Sequence, residues 1–583
     1  MPLFSKVLVA NRGEIAIRVF RTLRELGIGS VAVYSDADRL ARHASYADEA
    51  YALGGETAAE SYLVVEKLVA AARRAGAEAV HPGYGFLAEN AGFARACEEA
   101  GLVWVGPPAD AIELMGTKTV ARETMRAAGV PIVPGTTDPV GSAADVVRLG
   151  EELGYPLIVK AVAGGGGKGM KLVHSAEEAE RAFESAGREG QAFFANADVY
   201  VERYLVDPRH VEVQVLADGH GNVVHLGERD CTIQRRHQKL IEETPSPAVD
   251  EKLRARIGRI AVDAARAAGY RSAGTIEGLL SAEGDYYFME MNTRIQVEHT
   301  VTEAVTGIDL VREQLRIAAG EPLSWTQEAI QFRGHAIECR INAEDVAAGF
   351  MPAPGTITVY REPSGPGVRV DSGVAAGSEI SPLYDPMIAK LIVHDVDRES
   401  ARRRMLRALD EFELGGVKTL LGFHRALLRH PCFVEGGTCH GLVESDELAA
   451  AAGELERAPV GEAAALNGRL RERVTQVEVD GRRFDVKVLE PEPPWVELAA
   501  RRAERRRTAR GAADEEVVSP MQGTVIAVKV AVGDEVRAGQ VVCVVEAMKM
   551  ENEIVAHRDG VVSALGVANG QPVRHGDLIC VVG

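Results

Sequence analysis

The sequence lacks the features of a membrane protein and of a disulfide-stabilised secreted protein. Its apolar runs all fall short of the ~18 residues that a membrane-spanning helix needs, and Arg12 and Glu14 come too early for a secretory signal peptide. We therefore expect no membrane contact. The seven cysteines are an odd number without a C-x-x-C pair, which predicts reduced thiols and a cytoplasmic location. No usual zinc spacing fits the candidate ligands His430, Cys432, Cys439 and His440.

Positive charge is scarce as well. The chain has 66 lysines and arginines against 85 aspartates and glutamates, a formal net charge of −19. This balance argues against a nucleic acid partner. Any site for an anionic substrate must therefore be built from a local cluster of basic side chains.

The first 115 residues have the pattern of a doubly wound parallel sheet. A chain of 583 residues, 46% of them hydrophobic, can form several cores. Strand-like runs alternate here with helix-like runs, and the strand-like runs are 7–10, 31–35, 79–80 and 103–105. No G-x-G-x-x-G follows the first strand, so a dinucleotide site is not indicated.

A glycine-rich loop lies between two further strand-like runs. Lys160 is near the end of the run 155–161, A-G-G-G-G-K-G-M occupies 163–170, and a second run follows at 171–174. The loop joins strand to strand, and Gly169 stands where a P-loop needs Ser or Thr, so neither common glycine motif applies. A glycine hairpin can cover a polyphosphate because its backbone N–H groups approach the oxygens closely. A merely flexible turn is the alternative.

The stretch 274–299 predicts a cation site. Its two strand-like runs flank Glu283 and Gly284, and a turn at those two residues places Glu277 opposite Glu290. Directly opposed side chains have Cβ atoms ~4.5 to 5.5 Å apart, where two carboxylates repel each other. A divalent cation turns this repulsion into binding, and Mg²⁺ suits carboxylate and phosphate oxygens.

Polar residues alternate with other residues along the second run and beyond it. An extended chain has a side-chain period of two, so the polar set would share one face. The set is Glu290, Asn292, Arg294, Gln296 and Glu298. A plain half-exposed strand is the alternative. Upstream, His210, His237 and Lys239 add cationic groups, and together these residues predict an anion pocket inside an acidic molecule.

The last part of the chain contains one short β-unit twice. Positions of the segment 523–543 recur at 560–580, including three glycines, three valines and the cysteines Cys543 and Cys580. Duplicated units usually pair to bury a common core, which leaves the link between them as an exposed hairpin. Lys549 lies on this link, within E-A-M-K-M. Taken alone, it is equally an ordinary solvated lysine between gap-filling methionines.

The segment between 446 and 514 has the character of a flexible linker. Residues 449–465 are rich in alanine and glutamate, and the run 474–488 predicts a hairpin that turns at Asp480 and Gly481. A basic segment follows at 501–510. We interpret it as a solvated linker, with docking onto an acidic partner as the alternative.

Several motifs in combination resemble one family. They are A-N-R-G-E-I-A, H-P-G-Y-G-F-L, E-R-D-C-T-I-Q-R-R-H-Q-K, E-M-N-T-R-I-Q-V-E-H, E-C-R-I-N-A-E and P-L-Y-D-P-M-I-A-K-L-I. Through them, residues 1–445 resemble biotin carboxylase, an ATP-grasp enzyme. E-A-M-K-M resembles the biotinyl carrier domain of biotin-dependent carboxylases. The implied fold is a multidomain α/β and α+β protein: a doubly wound N-terminal domain at 1–115, an ATP-grasp domain at 116–320, a carboxylase C-terminal domain at 334–445, the linker with its short hairpin at 446–514 and an all-β biotinyl domain, a flattened barrel, at 515–583.

The resemblance also implies roles for individual residues. Biotin would be attached covalently to Lys549, and the catalytic residues would be Lys239, Arg294, Glu298 and Arg340, with Gln296 and Val297 beside them for bicarbonate and biotin. The implied ATP contacts are Lys118, Lys160, Gly164, Gly165, Gly166, Gly167, Lys168, Gly169, Glu202, Leu205, His210, Gln234 and His237. The implied ligands of Mg²⁺, or of Mn²⁺, are Glu277, Glu290 and Asn292.

The family mechanism implies an order of events. Glu298 deprotonates bicarbonate, which attacks the γ-phosphorus of ATP to give carboxyphosphate, and a closed lid must exclude water from this labile species. It yields CO₂ and a phosphate that deprotonates biotin while Arg340 stabilises the enolate. The sequence departs from common family residues at Ala163, Lys168, Arg203, Gly278 and Thr300. Of these, Gly278 and Thr300 are the two that could loosen the site.

The whole arrangement resembles the biotinylated α subunit of a bacterial acyl-CoA carboxylase that serves fatty acid biosynthesis, with acetyl- or propionyl-CoA as acceptor. No carboxyltransferase domain follows the carrier, so we expect a separate carboxyltransferase β subunit. Biotin protein ligase and a homo-oligomer formed through the carboxylase domain are further expected partners. The carboxylase subunit of a split pyruvate carboxylase is one alternative. A lipoyl-type carrier with a regulatory nucleotide domain is another.

Overall fold

The structure of the protein is a computed structural model. It describes residues 3–136, 138–162, 169–194, 196–456, 470–479, 482–491, 515–547 and 550–583. Within these ranges, no helix has both the length and the apolarity that crossing a bilayer requires.

A five-stranded parallel sheet begins the chain, which confirms the predicted doubly wound domain. The first strand, Lys6–Val9, lies between Gly29–Tyr34 and Ala79–His81, so the chain winds outward in both directions. The edge strands are Glu49–Ala52 and Val103–Trp104. Glu49–Ala52 is absent from the sequence prediction because its residues are half-buried or exposed and form no apolar run. The helices are Gly13–Glu25, Arg42–Tyr46, Val65–Ala75, Ala91–Glu99 and Ala109–Gly116, with a 3₁₀ turn at Ala58–Glu60.

An eight-stranded antiparallel sheet forms the centre of the molecule. Its strands, in spatial order, are Tyr286–Asn292, Ser272–Leu280, Arg209–Ala217, Val223–Arg235, Gln238–Thr244, His335–Asn342, Met387–Asp395 and Val368–Ser372. One sheet therefore runs through the segments predicted as the ATP-grasp and C-terminal domains. Helices His299–Thr306 and Leu310–Ala318 connect the two segments in sequence.

The two faces of this sheet differ in chemistry because side chains alternate along each strand. On the strand Arg209–Ala217, Val211, Val213 and Val215 share a hydrophobic core with the helix Glu251–Ala267. Glu212 and Gln214 alternate with these valines and are fully buried on the opposite face. The strand pattern thus places these polar side chains together on the face opposite that core.

A smaller unit lies beside the central sheet. Its three strands, Met170–Val173, Leu157–Ala161 and Val199–Arg203, pair antiparallel. Helices Ala143–Leu153 and Ala179–Phe194 bury their apolar faces against this sheet. The helix Lys118–Ala127 precedes the unit, and a 3₁₀ turn lies at Ala176–Glu178. The predicted strands on either side of the glycine loop are therefore present.

The C-terminal part of the carboxylase segment is held by helices and short strands. The helices are Arg398–Glu411, Leu421–Arg429, Pro431–Val434 and Asp446–Glu454, with a 3₁₀ turn at Gln327–Ala329. The short strands are Glu344–Asp345, Met351–Pro352, Gly355–Thr356, Val359–Arg361, Glu379–Ile380 and Glu413–Gly415.

One sequence expectation is wrong in this region. Cys432 and Cys439 form a disulfide, with a Cα–Cα distance of 5.8 Å, whereas the odd cysteine count predicted reduced thiols throughout. The turn that follows the helix Pro431–Val434 brings the two residues together, although the sequence separates them by 7 positions. The other five cysteines are buried free thiols. No C-x-x-C motif is needed for such a local pairing, so the motif search could not find it.

Residues 515–547 and 550–583 form two four-stranded sheets, in agreement with the predicted all-β domain. One sheet has the order Glu516–Val518, Leu578–Val582, Gly560–Leu565, Glu535–Val536, and the other Met550–Val555, Val541–Ala547, Gly523–Val528, Pro572–Val573. Each sheet contains strands from both copies of the repeat, and their side chains share one core. The link between the copies carries Lys549, which lies outside the described residues.

The predicted hairpin in the linker is present and longer than expected. Strands Leu470–Val479 and Arg482–Pro491 pair antiparallel, with Val479 opposite Arg482. The predicted turn residues Asp480 and Gly481 lie outside the described residues.

Candidate active site

Lys239 is the centre of a buried charged cluster. Its Nζ lies 2.5 Å from Glu212, 2.9 Å from Glu277 and 2.6 Å from Glu298. Glu212, Lys239 and Glu277 come from strands of the same sheet, whose polar face collects them. Burial alone would lower the pKa of Lys239, but the three carboxylates hold it well above its ordinary value. The ammonium is therefore charged at neutral pH.

Arg229 is a second buried cation of the cluster and is fully enclosed. Its Nε donates to Glu212 at 2.5 Å, and its Nη2 donates to Gln296 at 2.7 Å. Its Nη1 donates to Gln214 at 2.8 Å and to Thr302 at 3.0 Å. This guanidinium fixes Gln296, and sequence reasoning assigned it no role. Its motif, E-R-D-C-T-I-Q, was the only signal in the sequence.

Glu298 lies between two cations. Its Oε1 accepts from Lys239, and its Oε2 accepts from Nη2 of Arg340 at 2.9 Å. Burial would raise the pKa of Glu298, but Lys239, Arg340 and Arg229 together hold it well below its ordinary value. The structure thus brings three of the predicted catalytic side chains into contact.

The predicted pairing of Glu277 with Glu290 is present, although the turn was predicted wrongly. Ser281 N donates to Asp285 O, so the turn spans 282–284 and not Glu283 and Gly284 alone. A register shift after Glu277, with Met289 as the extra residue, compensates for this one-residue error. The longer turn and the extra residue Met289 shift the pairing by one residue in opposite directions. Glu277 and Glu290 therefore still face each other as predicted.

This carboxylate pair fits a hard divalent cation. His210 Nε2 lies 2.8 Å from Glu277, and Lys118 Nζ lies 4.0 Å from Glu290. Burial and the charge of Glu277 raise the pKa of Glu290, and a bound cation would remove that repulsion. Asn292 differs from expectation: its Nδ2 donates to Glu277 at 2.7 Å and its Oδ1 accepts from Arg294 at 2.9 Å. As a metal ligand it would have to present its oxygen.

Another group could be mistaken for a metal site. One ligand atom from each of His210, Glu212 and Glu277 lies within 4.8 Å of the others. The ammonium of Lys239, however, already bonds to both carboxylates of the group. A lysine thus supplies the positive charge there, and we assign no metal to this group.

The strand that was expected to continue to Glu298 ends at Asn292. Its polar residues nevertheless converge, because Gln296 Nε2 donates to Glu277 at 2.6 Å and Glu298 reaches Lys239. The prediction of one shared pocket was right, and the prediction of one extended strand was wrong. The chain turns at Val297 and Glu298 before the helix His299–Thr306 begins.

The predicted nucleotide residues that the structure describes come from the small unit, from the helix that precedes it and from the central sheet. Lys160 forms an ion pair with Glu202 on the neighbouring strand, and Arg122 binds the same carboxylate. His237, in a left-handed conformation with φ 65°, has its pKa lowered by burial and by the charges of His210 and Lys160. Gln234 donates to the carbonyl of Cys231 at 2.7 Å. Leu205 follows the strand Val199–Arg203, and the residues Ala163, Gly164, Gly165, Gly166, Gly167 and Lys168 lie outside the described residues.

Four domain models match the chain in sequence order. They are the biotin carboxylase N-terminal domain at 3–112, the ATP-binding domain of the carbamoyl-phosphate synthase L chain at 117–326, the biotin carboxylase C-terminal domain at 338–445 and the biotin-requiring enzyme domain at 515–582. A pyruvate carboxylase subunit of Methanothermobacter thermautotrophicus is 55% identical over 434 residues, which cover 74% of this chain and 88% of the relative. The chain belongs to the biotin carboxylase family.

Further members of the biotin carboxylase family extend the match. The biotin-dependent acyl-coenzyme A carboxylase alpha3 subunit of Mycobacterium leprae is 46% identical over 563 residues, covering 94% of this chain and 93% of the relative. The biotin carboxylase domain of Hydrogenobacter thermophilus 2-oxoglutarate carboxylase, solved with MgADP and bicarbonate, matches with a TM-score of 0.73 and 48% identity. The match covers 78% of this chain and 99% of that chain.

These matches confirm the coarse prediction. The chain joins a biotin carboxylase, a ligase that forms a C–N bond, to a biotin carrier domain. Biotin, ATP and Mg²⁺ as cofactors and bicarbonate as substrate are confirmed as well.

Arg294 of this biotin carboxylase is fixed by a residue that sequence reasoning missed. Glu89 Oε2 accepts from Arg294 Nε at 2.9 Å, and Glu89 Oε1 accepts from the backbone N–H of Thr293 at 3.0 Å. Glu89 follows the motif H-P-G-Y-G-F-L, which carries the resemblance to the family but indicates no role for this carboxylate. It ties the N-terminal domain to the carboxylase site.

Lys390 is a further missed residue. It is fully buried, its Nζ donates to the carbonyl of Val297 at 2.8 Å, and it lies 3.4 Å from Glu14. It therefore holds the backbone of the turn that precedes Glu298. Its motif, P-L-Y-D-P-M-I-A-K-L-I, carries the resemblance to the family but indicates no role for the lysine.

The two departures that could loosen the carboxylase site are both compensated. A Cβ at Gly278 would lie 2.3 Å from the Tyr286 ring, so this ring fills the space that a larger side chain at 278 would take. Thr300 donates from its hydroxyl to Glu338. Of the other departures, Arg203 is exposed and away from the buried cluster.

Proposed function

We propose that this chain is the biotinylated α subunit of an acyl-CoA carboxylase. It would carboxylate biotin held on Lys549 with ATP and bicarbonate, and then pass the carboxyl group to a separate carboxyltransferase β subunit that acts on acetyl- or propionyl-CoA. The observation that carries this proposal is the Mycobacterium leprae alpha3 subunit, whose match covers 94% of the chain. The pyruvate carboxylase subunit matches 74% of the chain.

Glu298 is the proposed general base. With Lys239 and Arg340 bonded to it and Arg229 nearby, its carboxylate is ionised but weakly basic in the resting site. An anion that binds to the same cations would draw them away from Glu298 and raise its pKa. Bicarbonate would in this way activate the residue that deprotonates it, and a general base works best when its pKa is near the working pH.

The neighbouring cations would bind and orient the substrates. Arg294, fixed by Glu89, and Lys239 would hold bicarbonate, with Gln296 and the backbone of Val297 beside it. Arg340, held between Glu298 and Glu242, would stabilise negative charge on biotin. Preoriented donors of this kind stabilise developing charge without the cost of rearranging solvent.

Glu277, Glu290 and Asn292 would hold Mg²⁺, or Mn²⁺, which supplies charge neutralisation at the ATP phosphates. Lys118 and Lys160 would add positive charge around those phosphates, and His210 and His237 would offer ring nitrogens for hydrogen bonds. Glu202, Leu205 and Gln234 would contact the nucleotide, and the glycine segment Gly164–Gly169 would cover it. Catalysis of phosphoryl transfer is then mainly electrostatic.

The substitution Glu298→Gln tests the proposed base. The amide keeps the shape of the side chain, and both Lys239 and Arg340 retain other carboxylate partners. We expect bicarbonate-dependent ATP cleavage to fall by about 10²- to 10⁴-fold, whereas ATP binding measured by calorimetry stays within about two-fold of wild type. Wild-type turnover in this variant would exclude Glu298 as the base.

The acceptor is tested with partner subunits. The chain, purified from its own host, is mixed with its carboxyltransferase partner and supplied in turn with acetyl-CoA, propionyl-CoA and pyruvate. Carboxylation of an acyl-CoA supports the proposal, and carboxylation of pyruvate alone supports the split pyruvate carboxylase. The relative from Methanothermobacter thermautotrophicus is the observation that favours this second candidate.

The modification of Lys549 distinguishes biotin from lipoate. Biotin protein ligase would attach biotin there, so intact mass and avidin binding of host-purified protein should both report biotin. A lipoyl mass would instead support the lipoyl carrier with a regulatory nucleotide domain.

We also propose a cytoplasmic location, a role in fatty acid biosynthesis and a homo-oligomer formed through the carboxylase part.

A further inference from the structure

Two buried glutamates lie directly behind Arg340. Glu242 and Glu338 are register partners on the antiparallel strands Gln238–Thr244 and His335–Asn342, and neither is exposed to solvent. Side chains at such positions point to the same face, with Cβ atoms ~4.5 to 5.5 Å apart. Arg340 lies two residues after Glu338 on the same strand, so its side chain shares that face.

Each glutamate has one oxygen bonded and one oxygen without a partner. Glu242 Oε1 accepts from Arg340 Nε at 2.5 Å, and Glu338 Oε2 accepts from the hydroxyl of Thr300. The remaining oxygens, Glu242 Oε2 and Glu338 Oε1, are buried and have no hydrogen-bond partner among the residues that the structure describes. Two facing carboxylates with bare oxygens in a closed site cannot both carry a charge without a large cost. One proton placed between them would satisfy both bare oxygens.

We propose that Glu242 and Glu338 hold one proton between them and that this protonated pair is the positioning element that keeps Arg340 against Glu298. The proposal rests on the roles that the proposed function gives to Arg340 and Glu298. It deepens that function by identifying what sets the position of Arg340.

The charges around the pair agree with this assignment. Burial raises the pKa of Glu242 to about 8, opposed by Arg340, and burial raises the pKa of Glu338 to about 7, opposed by Lys390 and Arg340. Because the two groups titrate together, these values belong to the pair. The titratable and charged groups that face the pair from the neighbouring strands and the turn are Arg340, Lys390, Glu298, Cys231 and Cys339.

Loss of the shared proton would disturb the carboxylase site. Arg340 bonds to Glu242 through Nε and to Glu298 through Nη2. A second negative charge behind it would draw the guanidinium toward the pair and weaken its bond to Glu298. The pair keeps its proton at pH values below its pKa and loses it at higher pH. Carboxylase activity should therefore fall as the pH rises through that pKa.

Thr300 adjusts the pair in this chain. Its hydroxyl donates to Glu338 and so favours the charged form of that carboxyl group. A side chain without a hydroxyl at this position would have no such donor. The pair should therefore lose its proton at a lower pH with Thr300 than with a residue that cannot donate.

Infrared spectroscopy of the full chain without substrates tests the shared proton. We expect the difference spectrum of wild type at pH 7 minus wild type at pH 9.5 to show the carbonyl band of a protonated carboxyl group. Glu338→Gln should lose the component of this band that belongs to the pair, whereas Glu344→Gln should keep that component and lose only the contribution of Glu344. Glu344 is a matched control because it is buried and its pKa is also raised to about 7, but it bonds to Asn342 and not to Arg340. A band whose intensity and position are the same in Glu338→Gln as in wild type would overturn the proposal.

The pH profile tests the positioning role, measured as bicarbonate-dependent ATP cleavage with free biotin. The amide of Glu338→Gln can donate to Glu242 permanently, as the protonated carboxyl group does. With a pKa of about 8, wild type and Glu344→Gln should lose about ten-fold in kcat from pH 7 to pH 9, whereas Glu338→Gln should change by about two-fold or less over that range. Equal alkaline limbs in wild type and Glu338→Gln would refute the positioning role.

A second pair of variants protects the test if Glu338→Gln fails to fold. Thr300→Val removes the donor and should move the alkaline limb upward, and Thr300→Ser should restore the wild-type profile. Identical profiles for Thr300→Val and Thr300→Ser would overturn the proposal.

The infrared test and the Glu298→Gln test can fail independently, because the infrared band requires no turnover. If the band is present and the Glu298→Gln enzyme is active, the proposed base is wrong and the shared proton is supported. If the band is absent and Glu298→Gln is inactive, the shared proton is wrong and the proposed base is supported.

Discussion

Replacing Lys239 by methionine is the most severe change that the charged cluster allows. The substitution keeps an unbranched side chain of similar length and removes the ammonium. The three carboxylates that bond to it, Glu212, Glu277 and Glu298, are each almost completely buried. They would face one another without the cation that now lies among them.

The size of the effect follows from what each carboxylate keeps. Glu212 retains Arg229, Glu298 retains Arg340, and Glu277 retains hydrogen bonds from Asn292 and Gln296. No carboxylate is left without a donor, so the three losses do not add in full. Removing one partner of a buried ion pair costs ~3 to 5 kcal/mol of the free energy of unfolding. At ~2 to 4 °C for each kcal/mol, the unfolding temperature of the carboxylase part should fall by about 6 to 20 °C.

The pH dependence of this loss has a definite sign. In the wild type, the pKa values of Glu277 and Glu298 are held well below their ordinary values, so both stabilise the fold above the ordinary carboxyl pKa and cease to do so as the pH falls through their depressed values. Without Lys239 those pKa values rise. The difference between variant and wild type should be largest near pH 7.5 and smaller near pH 5.

Differential scanning calorimetry at the two pH values measures both effects. Lys118→Met is the matched control, because it removes an ammonium from an exposed ion pair. Lys118 lies 4.0 Å from Glu290, and both side chains are more than a third exposed. Such a pair is worth ~1 kcal/mol or less, so the control should move the transition by less than about 4 °C. A Lys239→Met transition within about 2 °C of wild type at pH 7.5, or a shift that does not depend on pH, would refute the reasoning.

Two further predictions follow from the close packing at Gly278 and from the disulfide. Gly278→Ala should cost ~1 to 3 kcal/mol of the free energy of unfolding, because the new Cβ meets the buried Tyr286 ring. Urea unfolding measures this cost. Gly278→Ala should cost less in a Tyr286→Ala background than in the wild type, because the ring is then absent. A wild-type stability of the Gly278→Ala variant would show that the ring moves freely. Protein purified without reductant should expose five alkylatable thiols on unfolding and seven after reduction. Seven without reduction would show that Cys432 and Cys439 are not bonded.

Local periodicity indicated that the polar residues from Glu290 to Glu298 share one pocket, whereas Arg340 and the roles of individual residues came only from the resemblance to biotin carboxylase. The alternation of apolar and polar residues on the strand Arg209–Ala217 is visible in the sequence, and it separates the core face from the charged face. The opposition of Glu277 and Glu290 also follows from one short turn. That inference was fragile, since a bulge at Met289 corrected a turn misplaced by one residue. Neither the bulge nor the extra turn residue has a distinctive local pattern.

Contacts between distant parts of the chain could not be predicted in this way. Glu89 meets Arg294 although 205 positions separate them, and only the packing of the N-terminal sheet against the central one brings them together. Lys390 reaches the backbone of Val297 across 93 positions. Both residues lie in stretches whose local pattern indicates only a turn or a buried strand. Their function depends on the partner and not on the pattern.

The Glu242 and Glu338 pair shows why buried charge is informative only after the strands are aligned. In the sequence, Glu338 lies in the motif E-C-R-I-N-A-E, whereas Glu242 lies in a stretch without a recognisable motif. Each residue taken alone predicts an ordinary ion pair. Their opposition in register, together with an unbonded oxygen on each, changes that interpretation. Arg340 can neutralise one of the two carboxylates but not both, because its remaining donors extend to Glu298. The charge balance behind the carboxylase site is therefore completed by a proton, and the pH range in which the enzyme works should depend on how firmly that proton is held.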